Sequence, residues 1–485
     1  MSIRNPAWLV GFALLVIPIH ALAQESGRSQ PLSTPAEQKE YLSFTAADEV
    51  VPYLTALVEA TGGFELDTLI TLNDGSGGVV SVPVARIPVS SEPGGPPVVR
   101  VLILGAQHGT ERAGLESGLR IIRDLVDGEL EPLRRTLDVR VIPMTNPLGV
   151  IRRTMGAAGG IDLNHDHVDL AAAETQAIWE EYANWRPHLV LDLHEMGPTE
   201  YTIQIGVPTH PNVDADLVTF ARYYMLPQVA NQLARADIRF HEYVAAWTED
   251  AEETFYTPAP LEAGNARNAF ALAGAVSFLV ETSSSRDIMG LEERTERMYV
   301  ATRAFLEAAA LLASDLTRVV ERATVLPDTT LSVAARYTAR TSGSKLAWVQ
   351  LNERGLRVRT RLSPWLPVVE VEAVLSTPAG WMIEGGEGEL IASLRAHGFR
   401  VDRMNGPINR SVQAYPVCPE VVADASIGEL QVRRFRAGSW WIPADQPGGR
   451  LLFTIVEPWS QYGWFAGAAA IDCPEGTFPV YRVPA

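Results

Sequence analysis

Cysteine is almost missing from this chain: two occur in 485 residues, Cys418 and Cys473, each followed by proline and both near the C-terminus. Thiolate ligation of a metal is therefore excluded from everything before Cys418. At most one disulfide can form within the chain, between these two, and an oxidising compartment would favour it. Positive charge is also short. Lys and Arg total 40 against 58 Asp and Glu, a formal net charge of −18, which disfavours binding to nucleic-acid phosphates. Long apolar runs are confined to Trp8–Ile19, so nothing after that stretch has the length to span a bilayer. No internal repeat is present.

What is there reads as a globular protein. At 47% hydrophobic and 20% charged residues, the chain is long enough for two domains or for one large domain with an appendage. Arg4 is the single charge before the apolar run, and Ala21-Leu22-Ala23 satisfies the small-residue rule for signal peptidase. Residues 1–23 are thus expected to be a signal peptide, cleaved before Gln24, which makes the protein exported, either periplasmic or secreted. Pro18 interrupts the run, which is also too short for an anchor, so no stable membrane span remains after cleavage. Cleavage removes Arg4 and no acid, taking the charge to −19 (−18 − 1). Residues 24–44 read as a flexible lead. Thr45-Ala46-Ala47-Asp48 reads as a capping box before Val50, Leu54, Leu57 and Val58.

The stretch around which the chain is organised is Val98–Leu104, running into Gly105-Ala106-Gln107-His108-Gly109-Thr110-Glu111. A nearly continuous aliphatic run is what a strand buried on both faces requires, and Gly105 and Gly109 let the backbone turn after it. From Glu111 onward the apolar positions Leu115, Leu119, Ile122 and Val126 take helical spacing. In a strand-loop-helix unit of this kind, His108-x-x-Glu111 places an imidazole and a carboxylate at the carboxyl edge of the sheet, where open α/β sheets bind ligands. Two ligands alone hold no zinc.

Further strands supply more. Asp138–Met144 leads into a long loop containing Arg152, Arg153 and the run Ile161–His167; after a helix over Glu174–Trp185, Pro187–Glu195 is a strand bearing His194. Val276–Val280 is a fourth buried strand that ends on Glu281, and a long amphipathic helix is expected over Glu292–Val320. Strands alternating with helices predict an α/β fold with a mixed, mostly parallel central sheet flanked by helices. Three strand ends then deliver His108 with Glu111, His194 and Glu281. From Ala323 onward the texture changes to short β-like runs holding seven of the 11 tryptophans, assigned here to a core. The expected layout is a catalytic domain over 45–322 and a smaller β-rich domain over 323–485.

With these residues in place, the chain resembles the zinc carboxypeptidases of the carboxypeptidase A type over residues 45–320, as an exported bacterial member with an added C-terminal domain. Five segments match in order. His108-Gly109-Thr110-Glu111 resembles the family's His-x-x-Glu, Asn146-Pro147-Leu148-Gly149 its Asn-Pro-Asp-Gly turn and Asp162-Leu163-Asn164 its Asp-Leu-Asn-Arg. Asp192-Leu193-His194-Glu195 resembles the third-ligand strand, and Val280-Glu281-Thr282 the strand of the catalytic glutamate. The resemblance implies one Zn2+ per chain, held by His108, Glu111 and His194, with Glu281 as general base and then general acid. Three protein ligands and one open position are what a hydrolytic zinc uses to acidify water.

Two positions depart from the family. Met155 stands where the oxyanion-stabilising arginine belongs, and His165 where the arginine that grips the substrate's terminal carboxylate belongs. A thioether cannot stabilise an oxyanion, and an imidazole lacks the bidentate fork. Arg152, Arg153 and Arg267 are the available substitutes, with Asn164, His165 and Tyr256 as further substrate-binding candidates. His165-x-His167 reads as a hydrogen-bonded structural pair, with a second metal as the alternative. The expected function is zinc-dependent cleavage of an amide bond in a peptide or acyl-amino compound. An amidase or deacylase on the same scaffold, or a metal-binding pseudo-enzyme, is the alternative.

Overall fold

The computed structural model of the chain describes residues 32–90, 94–197, 199, 201–249, 253–283, 290–324, 326, 329–351, 357–385, 388–415, 427–465 and 478–485. The expected signal peptide and the two cysteines lie outside the described residues. No helix among the described residues is long and apolar enough to cross a membrane.

Among the described residues, ten strands build the first part of the chain: β1 (Glu65–Asn73), β2 (Val79–Ile87), β3 (Val99–Gly105), β4 (Leu137–Ile142), β5 (Leu189–Met196), β6 (Ile203–Gly206), β7 (Phe240–Glu242), β8 (Ala245–Glu249), β9 (Glu253–Thr257) and β10 (Val276–Ser283). Eight form one mixed sheet in the order β1-β2-β4-β3-β5-β10-β6-β7, and β8 and β9 form a separate hairpin. The four central strands β4, β3, β5 and β10 are mutually parallel. They are also the aliphatic ones: every residue of β10 and six of the seven in β3 are buried, as strands covered by helices on both faces must be.

From β3 the chain goes to β4 on one side and later to β5 on the other. That reversal opens a crevice at the carboxyl ends of β3 and β5. Parallel pairing sets Glu281 of β10 directly opposite His194 of β5, so the two side chains emerge from the same face on neighbouring strands. Gly109 is where two loops touch, since a Cβ there would lie 2.0 Å from the carbonyl carbon of Gly149.

Two local expectations need correcting. Thr45 does not cap the first long helix, Ala47–Thr61; the Glu49 carboxylate accepts from the Ala46 amide at its start, while Thr45 binds Glu116 of the helix Ala113–Asp127. The helix expected over Glu292–Val320 is two helices, Leu291–Leu311 and Ala313–Ala323, broken at Leu312 where ψ is 18°.

The C-terminal part is β-rich. Its six-stranded antiparallel sheet comprises Asp402–Arg403, Trp440–Pro443, Pro378–Ile383, Val480–Pro484, Ile408–Ala414 and Leu430–Phe435, in that order, joined by the helices Gly388–Ala396 and Gly449–Val456. Trp381 is fully buried and donates to the Glu457 carboxylate, and Trp459 is buried as well, as a core role requires, while Trp440, Trp441 and Trp464 are partly buried. The apolar core is continuous across both parts, running from Ile178, Trp179 and Phe270 to Leu390, Leu394 and Leu452.

Candidate metal and catalytic site

His108 and Glu111 leave the loop that follows β3 and face each other across its turn, with His108 Nδ1 2.9 Å from Glu111 Oε1. The other Glu111 oxygen lies 2.9 Å from His194 Nδ1 and 3.0 Å from the Glu195 amide, which donates to it. The two imidazoles meet Nδ1 to Nδ1 at 3.2 Å. Among the described residues, His108, Glu111 and His194 form the one cluster of potential metal ligands, their ligand atoms all within 4.8 Å of one another.

The outer nitrogen of each ring is also held. His108 Nε2 is 3.0 Å from Asp162 Oδ1, and His194 Nε2 is 2.8 Å from Asp192 Oδ2 in a contact bent away from a straight hydrogen bond. A carboxylate beside each Nε2 calls for N–H on that side and leaves the Nδ1 lone pairs aimed at one another and at Glu111. Two lone pairs and a carboxylate converging at this distance repel unless a cation lies among them. The donor set, two imidazoles and one carboxylate, suits a divalent ion such as zinc. Without one, protons take its place: burial works against charge on His108, but Asp162 and Glu111 outweigh it and lift the imidazole to about 9. His194 is raised in the same way by Asp192 and Glu111, and the two histidines in return draw Glu111 down to about 2 against the upward push of burial.

Glu281 is buried next to this cluster. Its Oε2 has no hydrogen-bond partner among the described residues, and burial lifts the carboxyl to about 8, with attraction from His194 opposing and repulsion from Glu111 adding. Tyr243 sits in the field of Glu281, Arg267 and Glu111, and burial pushes its phenol well up. Arg267, on the helix Ala266–Leu272, is wholly buried: Nη2 donates to the Pro260 carbonyl at 2.8 Å, while Nε and Nη1 have no partner among the described residues. Its field reaches Asp192 and Tyr243.

No family model matches the chain. The chain is similar to Carboxypeptidase 2 of Trichophyton tonsurans, 24% identical over 423 residues, covering 79% of this chain and 76% of the relative. Carboxypeptidase 2 of Trichophyton rubrum is 23% identical with the same coverage. Among solved structures, carboxypeptidase A from Helicoverpa armigera is 18% identical and aligns over 56% of this chain and 75% of that one, at a TM-score of 0.44. A metallo-carboxypeptidase from Burkholderia cenocepacia aligns over 57% and 71%, at 16% identity and a TM-score of 0.43.

The remaining candidates fall in varied places. Asn146 caps the short helix Pro147–Arg152 through the Gly149 amide and ties it to the Gln107 carbonyl, which gives that turn a scaffolding role. Arg152 reaches the Asp74 carbonyl in the β1–β2 turn at 3.4 Å. Arg153 is exposed at the left-handed cap of the same helix, and its charge is felt by Arg112. Met155 and His165 both present exposed side chains. Asn164 is buried and accepts from the Ala266 amide, which links its loop to the helix bearing Arg267. Tyr256 is buried in β9, where its backbone bridges to Trp365. His165 and His167 do not pair: His167 is buried against Gln107 and Trp179. Sequence reading passed over Gln107, Asp162 as a partner of His108, and Tyr243. Gln107 carried one signal, its place directly before a candidate ligand.

Proposed function

We propose that this chain is a zinc-dependent peptidase of the carboxypeptidase type, hydrolysing an amide bond in a peptide or acyl-amino substrate. The observation that carries the reading is the convergence of His108, Glu111 and His194 with their lone pairs turned inward, beside a buried carboxyl on the adjoining strand. Relatives named carboxypeptidase over three-quarters of the chain support it. In this assignment residues 45–322 form the catalytic domain, 323–485 a β-rich C-terminal domain, and 1–23 a cleaved signal for export.

His108, Glu111 and His194 would hold the zinc ion, which would supply an acidified water and polarise a carbonyl. Glu281 does the proton work. Its Oε2, buried and without a hydrogen-bond partner among the described residues, has the raised affinity that a base needs if it is to take a proton from water and return it to the leaving nitrogen. Arg267 supplies a buried cation whose Nε and Nη1, without partners among the described residues, face charge developing on the substrate, and Tyr243 offers a phenol in the same field. Asn164 positions the Arg267 helix through the Ala266 amide. With Met155 and His165 exposed, nothing at those two positions grips a terminal carboxylate from within the site, which favours substrates that lack one, as an amidase or deacylase would use.

The test is Glu281→Gln. The variant should keep its metal by elemental analysis and lose 10²–10⁴ in turnover, the range for a general acid-base. Turnover equal to the parent's would place the base elsewhere and defeat the assignment.

A further inference from the structure

A chain of hydrogen bonds runs from the interior of the helix Ala173–Trp185 to Asp192, which touches the metal-ligand cluster at His194, and chemistry sets the direction of each bond. It starts at an atom that can only donate. Trp179 Nε1 lies 3.1 Å from His167 Nδ1, so that nitrogen must accept. The proton of the neutral ring is then on Nε2, which donates to Gln107 Oε1 at 3.0 Å. With its oxygen engaged, Gln107 presents its amide nitrogen to Asp192 Oδ1 at 2.8 Å. Asp192 keeps its second oxygen for His194 Nε2, 2.8 Å away through the bent contact. His194 Nδ1 is left for Glu111 and His108.

We propose that Trp179, His167 and Gln107 are positioning residues for the metal site: together they fix the orientation of the Asp192 side chain, and through it decide which nitrogen of His194 faces the ion. The inference rests on the functional reading above. Every side chain in the series is buried, so water does not compete for these bonds. His167 is kept neutral by burial, which drops its imidazole to about 3 and preserves the one-donor, one-acceptor ring that the series needs.

The far end is anchored by the C-terminal part of the protein. His397 Nε2 is 3.0 Å from the His167 carbonyl, its ring lies 4.7 Å from that of Trp179, and the Ser393 hydroxyl donates to the Val168 carbonyl. The β-rich part thereby acquires a task, fixing the backbone on which the relay begins.

The experiment measures Zn2+ and Co2+ dissociation constants by chelator competition on the full chain, with no turnover needed, alongside thermal stability. Trp179→Phe keeps an aromatic ring, smaller than the indole, and removes the donor; Gln107→Met keeps the length and removes the amide. Each should weaken metal binding about 10- to 100-fold, the range for outer partners of metal-bound histidine. In an Asp192→Asn background Trp179→Phe should add nothing, because the series is already cut. Variants that melt earlier yet bind metal within twofold of the parent would overturn the proposal, as would losses that simply multiply in the double variant. A parent chain that binds no divalent metal would overturn the functional reading and this inference with it, whereas a parent that binds tightly with unaffected variants would overturn the inference alone.

Discussion

Glu116 provides a clamp beneath the metal-ligand loop, and its protonation should be visible in the stability of the whole protein. It lies on the helix Ala113–Asp127 that starts just after Glu111, is 1% exposed, and accepts from the Thr45 amide at 2.6 Å and the Thr45 hydroxyl at 2.7 Å. Arg112 is on the same clamp, donating to the carbonyls of Thr45, Gly109 and Val150. Burial raises the Glu116 carboxyl from 4.5 to about 7, the two bonds from Thr45 and the charge of Arg112 opposing it. The folded protein therefore holds this proton more tightly than the unfolded chain does. The stability so gained is fully present below pH 4.5 and is lost as pH rises through about 7. At about 1.4 kcal/mol for each tenfold change in proton affinity, the loss is about 3 kcal/mol. Glu116→Gln imitates the protonated acid, so denaturant unfolding of parent and variant should give similar stabilities at pH 4.5 and a variant more stable by about 3 kcal/mol at pH 8. A difference between the two proteins that does not change with pH would refute the reasoning.

Other outcomes follow from the site. The parent should carry about one zinc per chain by elemental analysis, and His108→Ala or His194→Ala should lose it with a lower melting temperature, because an ion that binds only the folded state stabilises that state. Arg267→Ala should keep the metal and lose a hundredfold or more in turnover, the cost of one donor to developing negative charge; unchanged turnover would remove Arg267 from the site. A peptide offered with free and with amidated C-terminus should be cleaved at similar rates, since Met155 and His165 leave no arginine at the two positions where the resembled family carries one; a strong preference for the free acid would show that another cation grips the carboxylate.

The central strands were legible in the sequence because a strand buried on both faces needs an unbroken aliphatic run, a local pattern that little else produces. The same applied to His108-x-x-Glu111, His194 and Glu281, each of which follows or ends such a run. Local pattern could not say which runs become neighbours. The order β4-β3-β5-β10, and the register that sets Glu281 against His194, come from packing between segments up to nearly ninety residues apart. For that reason Tyr243, a residue with no local signal, stands in the field of Glu281, and Thr45 left the cap it was suited for to bind a buried acid 71 residues away. Arg267 read as one basic residue among many. Only the tertiary fold removed it from water and left its Nε and Nη1 without partners among the described residues, because burial and unmet hydrogen bonds depend on everything that surrounds a side chain and not on its neighbours in the chain.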